Sequence, residues 1–280
     1  MIKTSVSYRK YKAFNISISF VTFAQTTVLI GVFMSVKYFV ISLQDQEARR
    51  KNIGSILTAN NVDFEFFDAT YGKEMTEEEQ KLCSNESQTI LTMKGNRKVL
   101  IEDELTLSEK GCALSHLRLY QHIIDQDLDY AVIMEDDLKP NADVFQAVNS
   151  LSTIKEPWDV VNFSSDFGIK CLPFAHKYYF DKSKGFYFQR IGMRNDTLDA
   201  IFNRRRFVIY AALYVITKEA CKKLVKLGYP ARLPADYLLG MVGYNNLKTF
   251  AVYPENHFMK FFECDSTIGS SRPAHKMVRL

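Results

Sequence analysis

No Cys-x-x-Cys pair occurs anywhere in the sequence, and its five cysteines, Cys83, Cys112, Cys171, Cys221 and Cys264, are scattered and odd in number. Such a set argues against a disulfide framework or a zinc ribbon and favours free thiols in a reducing compartment. Glycine and proline are sparse, 12 and 7 in 280 residues, which excludes a collagen-like array or extensive disorder. An excess of one charge is missing too. The 36 Lys and Arg against 32 Asp and Glu leave a net charge of +4, so charge alone gives no reason to expect a nucleic-acid partner. No internal repeat is evident. What is present is a globular composition, 47% hydrophobic and 24% charged, long enough to bury one large core or two small ones.

Charged residues are also absent between Lys12 and Lys37, behind Lys3, Arg9, Lys10 and Lys12. The gap has the length and basic flank of a signal anchor, but Asn15, Ser17, Ser19, Thr22, Gln25, Thr26 and Thr27 dilute its hydrophobicity. Residues 1–33 therefore read as an extension that is disordered or lies ahead of a true start at Met34, as an interfacial helix, or as a membrane span. Residues 34–280 read as the folded domain.

The most informative stretch is Tyr130 to Leu138. Ala131, Val132, Ile133 and Met134 form an unbroken apolar run, as in a strand covered on both faces, and it ends on Glu135, Asp136 and Asp137. Open α/β sheets bind ligands at the carboxyl ends of such strands. Adjacent carboxylates are relieved by solvent or by a cation, and hard oxygen ligands suit Mg²⁺ or Mn²⁺ better than Zn²⁺. A solvated acidic turn before Lys139-Pro140 is the alternative.

Around this stretch the pattern is strand and helix in alternation. Tyr38 to Leu43 predicts a strand, Glu47 to Asn60 a helix with Ile53, Ile56 and Leu57 inward, and Val62 to Phe67 a second strand before Asp68-Ala69-Thr70. That β-α-β order predicts parallel pairing. Residues 73–105 are polar and weakly periodic and read as an exposed insertion. Thr106-Leu107-Ser108-Glu109 is a capping box, opening a helix with Cys112, His116, Leu119, Tyr120 and Ile123 on one face. His116 reads there as a packing residue or a ligand, and Ser115 as facing water or a nucleotide. Trp158 to Phe163 predicts another strand. The aromatics Tyr178, Tyr179, Phe180, Phe186, Tyr187 and Phe188, followed by Arg204-Arg205-Arg206, suit sugars and phosphates or, equally, antiparallel strands on a core. Next come a strand over Phe207 to Ile216, a helix capped by Thr217 and ending at Gly228, a loop with Pro230, Pro234 and Asp236, and a last strand at Phe250 to Tyr253.

A sugar transfer from a nucleoside diphosphate needs a cation for the leaving diphosphate, a base for the acceptor hydroxyl and a nucleoside pocket. The acidic strand end, Asp236 and the first β-α-β unit are candidates for the three, although Asp236 also reads as an ordinary turn aspartate. Four segments in order then carry a resemblance. Val40-Ile41-Ser42-Leu43 with Arg49-Arg50, Phe64-Glu65-Phe66-Phe67-Asp68-Ala69, Gly111-Cys112-Ala113-Leu114-Ser115-His116 and Glu135-Asp136-Asp137 together resemble glycosyltransferase family 25, the lipooligosaccharide galactosyltransferases related to the collagen galactosyltransferases. The resemblance spans about residues 37–272 and is strongest over 37–137.

It implies an α/β domain of GT-A type, with a mostly parallel central sheet flanked by helices, that uses UDP-galactose with Mn²⁺ (or Mg²⁺) and inverts the anomeric centre. Carried over by position, Glu135 and Asp137 would hold the metal, with Asp137 in direct contact. Leu43, Arg49, Asp68, Ala69 and Ser115 would line the donor site, Arg272 would close over the diphosphate, and Asp236 would be the base. His257 is the nearest candidate for a C-terminal histidine ligand, though its surroundings match no family motif. The implied acceptor is a lipid-linked saccharide of lipooligosaccharide or lipopolysaccharide at the inner face of a bacterial inner membrane, with peripheral membrane contact and no nucleic acid. A transferase of UDP-glucose or UDP-N-acetylglucosamine, or a non-catalytic binding or adhesion protein of the same fold, are the alternatives.

Overall fold

In a computed structural model the protein is described over residues 36–93, 96–102, 104–163, 176–191, 210–255, 257–261 and 277–279. The β-α-β unit forms as its pattern requires. Strand β1 (Lys37–Ser42), helix α1 (Glu47–Ala59) and strand β2 (Phe64–Asp68) follow one another, and β1 pairs β2 in parallel from Tyr38 opposite Phe64 to Ser42 opposite Asp68. Helix α1 buries Arg49, Ile53 and Leu57, one residue per turn, and ends at Asn60 before the left-handed Asn61 at φ 54°.

Strand β5 (Tyr130–Glu135) lies on the other side of β1, again parallel. Beyond it come β10 (Leu213–Thr217), β7 (Val160–Asn162), β11 (Thr249–Tyr253), β9 (Phe186–Arg190) and β8 (Lys177–Asp181), so the eight-stranded sheet reads β2-β1-β5-β10-β7-β11-β9-β8. Only β10 and β9 run against the rest. The reversal at β9 follows from its short connection to β8, a turn with Gly185 at φ +73° that can join only antiparallel neighbours.

Both faces of this sheet are covered. Phe39, Ile41, Ala131, Ile133, Tyr214 and Ile216 pack under helices α3 (Leu107–Asp125), α5 (Lys218–Gly228) and α6 (Ala235–Gly240). Their alternates Tyr38, Val40, Val132, Met134, Leu213 and Val215 pack on the opposite side with α1 and α4 (Ala142–Asn149). Ala131, Val132, Ile133 and Met134 are each fully buried, and the larger of these side chains contribute about 1.5–3 kcal/mol apiece. The end of β5 is therefore held by this fully buried run of the strand.

Two expectations change. Residues 73–105 are more than an exposed insertion, because β3 (Gln88–Met93) and β4 (Arg97–Glu102) form a hairpin joined by β13 (Met277–Arg279), and Leu91 and Ile101 enter the core. Thr89 occupies an inward position beside Leu91, which blurs the period of two. The aromatic stretch resolves as antiparallel strands, with Tyr178, Phe186 and Phe188 in the core. Arg204, Arg205, Arg206, Arg272 and residues 1–33 lie outside the described residues. Among the described residues no helix is long and apolar enough to cross a membrane.

Candidate active site

The carboxyl ends of β1 and β5, the loop after β2 and the first turns of α3 enclose one cavity of about 130 Å³. The capping box expected at Thr106 and Glu109 is formed and sets where α3 begins. Glycine allows the loop to press against that helix. A Cβ on Gly72 would stand 1.8 Å from the Leu107 carbonyl oxygen, and one on Gly111 would stand 2.6 Å from the Gly72 nitrogen. Ser115 locks the contact, donating to the Gly111 carbonyl at 2.7 Å and accepting from the Thr70 amide at 2.8 Å. It is buried at the edge of the cavity, and its hydroxyl is committed to this tie between helix and loop. Cys112 and His116, one turn apart, are left on the cavity wall.

The three consecutive acids have three different fates. Asp136 is buried, accepting from Ser42 Oγ at 2.6 Å and from the buried Arg49 guanidinium at 3.3 Å. It is the brace that joins the ends of β1 and α1 to β5, a role the sequence did not single out. Asp137 lines the cavity, and its Oδ1 is buried without a hydrogen-bond partner. Burial, and then the charge of Glu135, push its carboxyl up to about 6. Glu135 is half-buried, with Oε1 3.6 Å from His116 Nε2.

Behind His116 runs a buried chain, in which Nδ1 is 2.8 Å from the Tyr214 hydroxyl and that hydroxyl is 2.8 Å from Tyr120. Asp236 sits in the first turn of α6, its Oδ1 accepting from the Tyr237 amide at 2.9 Å. It is not a lining residue of the cavity, but it is close enough for its charge and that of Glu135 to act on each other. Burial first, with Glu135 adding to it, pushes its carboxyl up to about 6.

Of the residues expected at the donor site, Leu43, Arg49, Ala69 and Ser115 line the cavity together with Glu135 and Asp137. Asp68 does not; its carboxylate accepts from Arg50 and from Gln44, and these bonds hold it below the usual carboxylate range. His257 is not brought to the acids. Its Nε2 lies 2.8 Å from Asp143 Oδ2 and its ring packs on Phe186 with centroids 4.7 Å apart. The sequence reading overlooked Cys112 as a site residue, although its i,i+4 spacing with His116 was a visible signal.

The family model of glycosyltransferase family 25 (LPS biosynthesis protein) matches residues 35–239. The chain is 38% identical over 112 residues to lipooligosaccharide biosynthesis protein lic2B of Haemophilus influenzae, covering 39% of this chain and 37% of that one. It is 28% identical over 130 residues to procollagen galactosyltransferase 1-B of Xenopus laevis, covering 44% and 20%. These matches thus span little more than a third of the first relative and a fifth of the second. Among solved structures, A197 from STIV aligns over 86% of this chain and 100% of its own with a TM-score of 0.38 and 11% identity, a likeness too loose to carry an argument.

Proposed function

We propose, from the premise that the chain belongs to glycosyltransferase family 25, that it transfers galactose from UDP-galactose to a saccharide acceptor in lipooligosaccharide synthesis, with inversion. The observation that carries this reading is the Asp137 carboxylate, at the carboxyl end of a core strand, lining a cavity with one buried oxygen unpartnered. The printed names of the relatives, lipooligosaccharide biosynthesis and procollagen galactosylation, support the sugar and the acceptor class. A lipid-linked acceptor would place the work at the inner face of a bacterial inner membrane.

The residues present fit a hard divalent ion. Asp137 and Glu135 would hold Mn²⁺ or Mg²⁺ through oxygens, and the ion when bound would neutralise the leaving diphosphate. The remaining roles belong to the chain itself. Leu43 and Ala69 offer the nucleoside an apolar wall, and the Arg49, Asp136 and Ser42 bonds keep that wall rigid. Asp236 takes the proton of the acceptor hydroxyl as that oxygen bonds the anomeric carbon and the bond to the UDP oxygen breaks. A carboxyl pushed up to about 6 is a stronger base than an ordinary aspartate and still largely ionised at pH 7.

Hydrolysis of UDP-sugars, measured with Mn²⁺ and with EDTA, tests the reading. UDP-galactose should turn over only with the ion. Turnover of UDP-glucose or UDP-N-acetylglucosamine, with none of UDP-galactose, would replace the donor; turnover unaffected by EDTA would remove the cation from the reaction.

A further inference from the structure

We propose that Cys112, His116 and Glu135 form a site for a borderline-soft divalent ion, of the Zn²⁺ or Co²⁺ kind, at the wall of the same cavity. One ligand atom from each of the three lies within 4.8 Å of the other two. The His116 Nε2 to Glu135 Oε1 separation of 3.6 Å is too long for a hydrogen bond, and Nε2 is buried without a partner. It is close to the spacing of two ligands on one tetrahedral ion, about 3.3 Å for bonds of about 2.05 Å. Three protein ligands with the cavity as the fourth direction make an open site rather than a closed structural one.

The surroundings complete the case. A metal-bound histidine ordinarily donates its other ring N–H to an oxygen, which fixes the tautomer. Here Nδ1 meets Tyr214, which meets Tyr120, both fully buried, so a donating Nδ1 leaves the Nε2 lone pair aimed at the cavity. The i,i+4 spacing sets the thiol and the imidazole one turn apart on α3. A metal-bound cysteine is a thiolate, so binding exchanges the S–H bond for a sulfur–metal bond and releases one proton to solvent. Asp137 stays outside this set. Because Glu135 would serve both ions, a soft ion in this site withdraws a ligand from the hard ion invoked for transfer.

Titration of the metal-free full-length chain with Co²⁺ tests the site without reference to activity. The wild type should show an intense thiolate-to-cobalt charge-transfer band that saturates at one ion per chain. Cys112→Ser should abolish it, and Tyr214→Phe should weaken binding about 10–100-fold, the range for loss of an outer-shell partner. His116→Gln should weaken it further still. Asp137→Asn and Asp236→Asn, which bear on the transfer reading, should keep the band, so either proposal can fail alone. Absence of the band in the wild type, its survival in Cys112→Ser, or unchanged affinity in His116→Gln would overturn the site. Should Cys112→Ser not fold, as judged by its thermal melt, the His116→Gln and Tyr214→Phe affinities decide.

Discussion

The Asp143 carboxylate accepts from Lys184 at 2.7 Å and lies 2.8 Å from His257, and these two contacts hold it below the usual range. The Asp137 and Asp236 carboxylates both feel Glu135, and although Asp236 also has His116 nearby, both are pushed up to about 6. In the first cluster the one carboxylate has a lysine and a histidine as partners. The second sets Glu135 and Asp137 on the cavity wall with Asp236 within reach of the Glu135 charge, and the Arg49 guanidinium on the same wall is bonded to Asp136. Desolvated carboxylates short of positive charge cost stability, and they persist where a ligand repays that cost. On the proposed reading this difference separates a structural cluster from a functional one more sharply than residue type does, since both contain aspartate and histidine.

Asp236→Asn offers the largest effect by which to break the comparison. It should lower kcat about 10²–10⁴-fold, the usual worth of a general base, in a donor-plus-acceptor assay. His257→Ala should leave turnover near wild type, and a loss of similar size would erase the distinction between the clusters. Arg49→Met comes next. It strands the buried Asp136 carboxylate and should cost about 3–5 kcal/mol in urea unfolding, whereas Lys184→Ala at the exposed cluster should leave the unfolding midpoint nearly unchanged.

The pH dependence sharpens the contrast. A carboxyl whose folded pKa of about 6 exceeds its unfolded value of about 3.9 contributes stability that is full below the lower value and lost as pH rises through the higher one. In metal-free buffer Asp236→Asn should therefore gain on the wild type by roughly 1–3 kcal/mol between pH 4 and pH 7. Asp143, held low, works in the opposite sense: Asp143→Asn should lose ground to the wild type as pH rises from 2 to 5. Thermal melts across that range check both signs. A smaller change comes from Ser115→Ala, which unties the Thr70 amide and should cost about 1–3 kcal/mol while loosening the loop, visible as faster amide exchange at Thr70.

The sequence made the frame legible and left the wiring obscure. The run from Ala131 to Met134 and the Thr106 capping box placed β5 and α3, because an unbroken apolar strand and a reciprocal cap are local signals. The β3 and β4 hairpin was hidden by a threonine in a buried register. Glu135, Asp136 and Asp137 look alike in sequence. Asp136 is set apart only by Ser42 and Arg49, 94 and 87 residues away along the chain. His257 likewise finds Asp143 114 residues away, and no local pattern announces that pairing. Cys112 and His116 carried a readable spacing, but it gained meaning only once β5 delivered Glu135 beside them.

Calorimetric titration of UDP into the wild type and Asp137→Asn, each with Mn²⁺ and with EDTA, tests most directly whether Asp137, with its unpartnered oxygen just beyond β5, recruits a cation for the diphosphate. The expected result is binding by the wild type that weakens at least about tenfold in EDTA, with Asp137→Asn weak in both buffers, as loss of a several-kcal/mol cation contact requires. UDP binding of equal strength in all four titrations would contradict it.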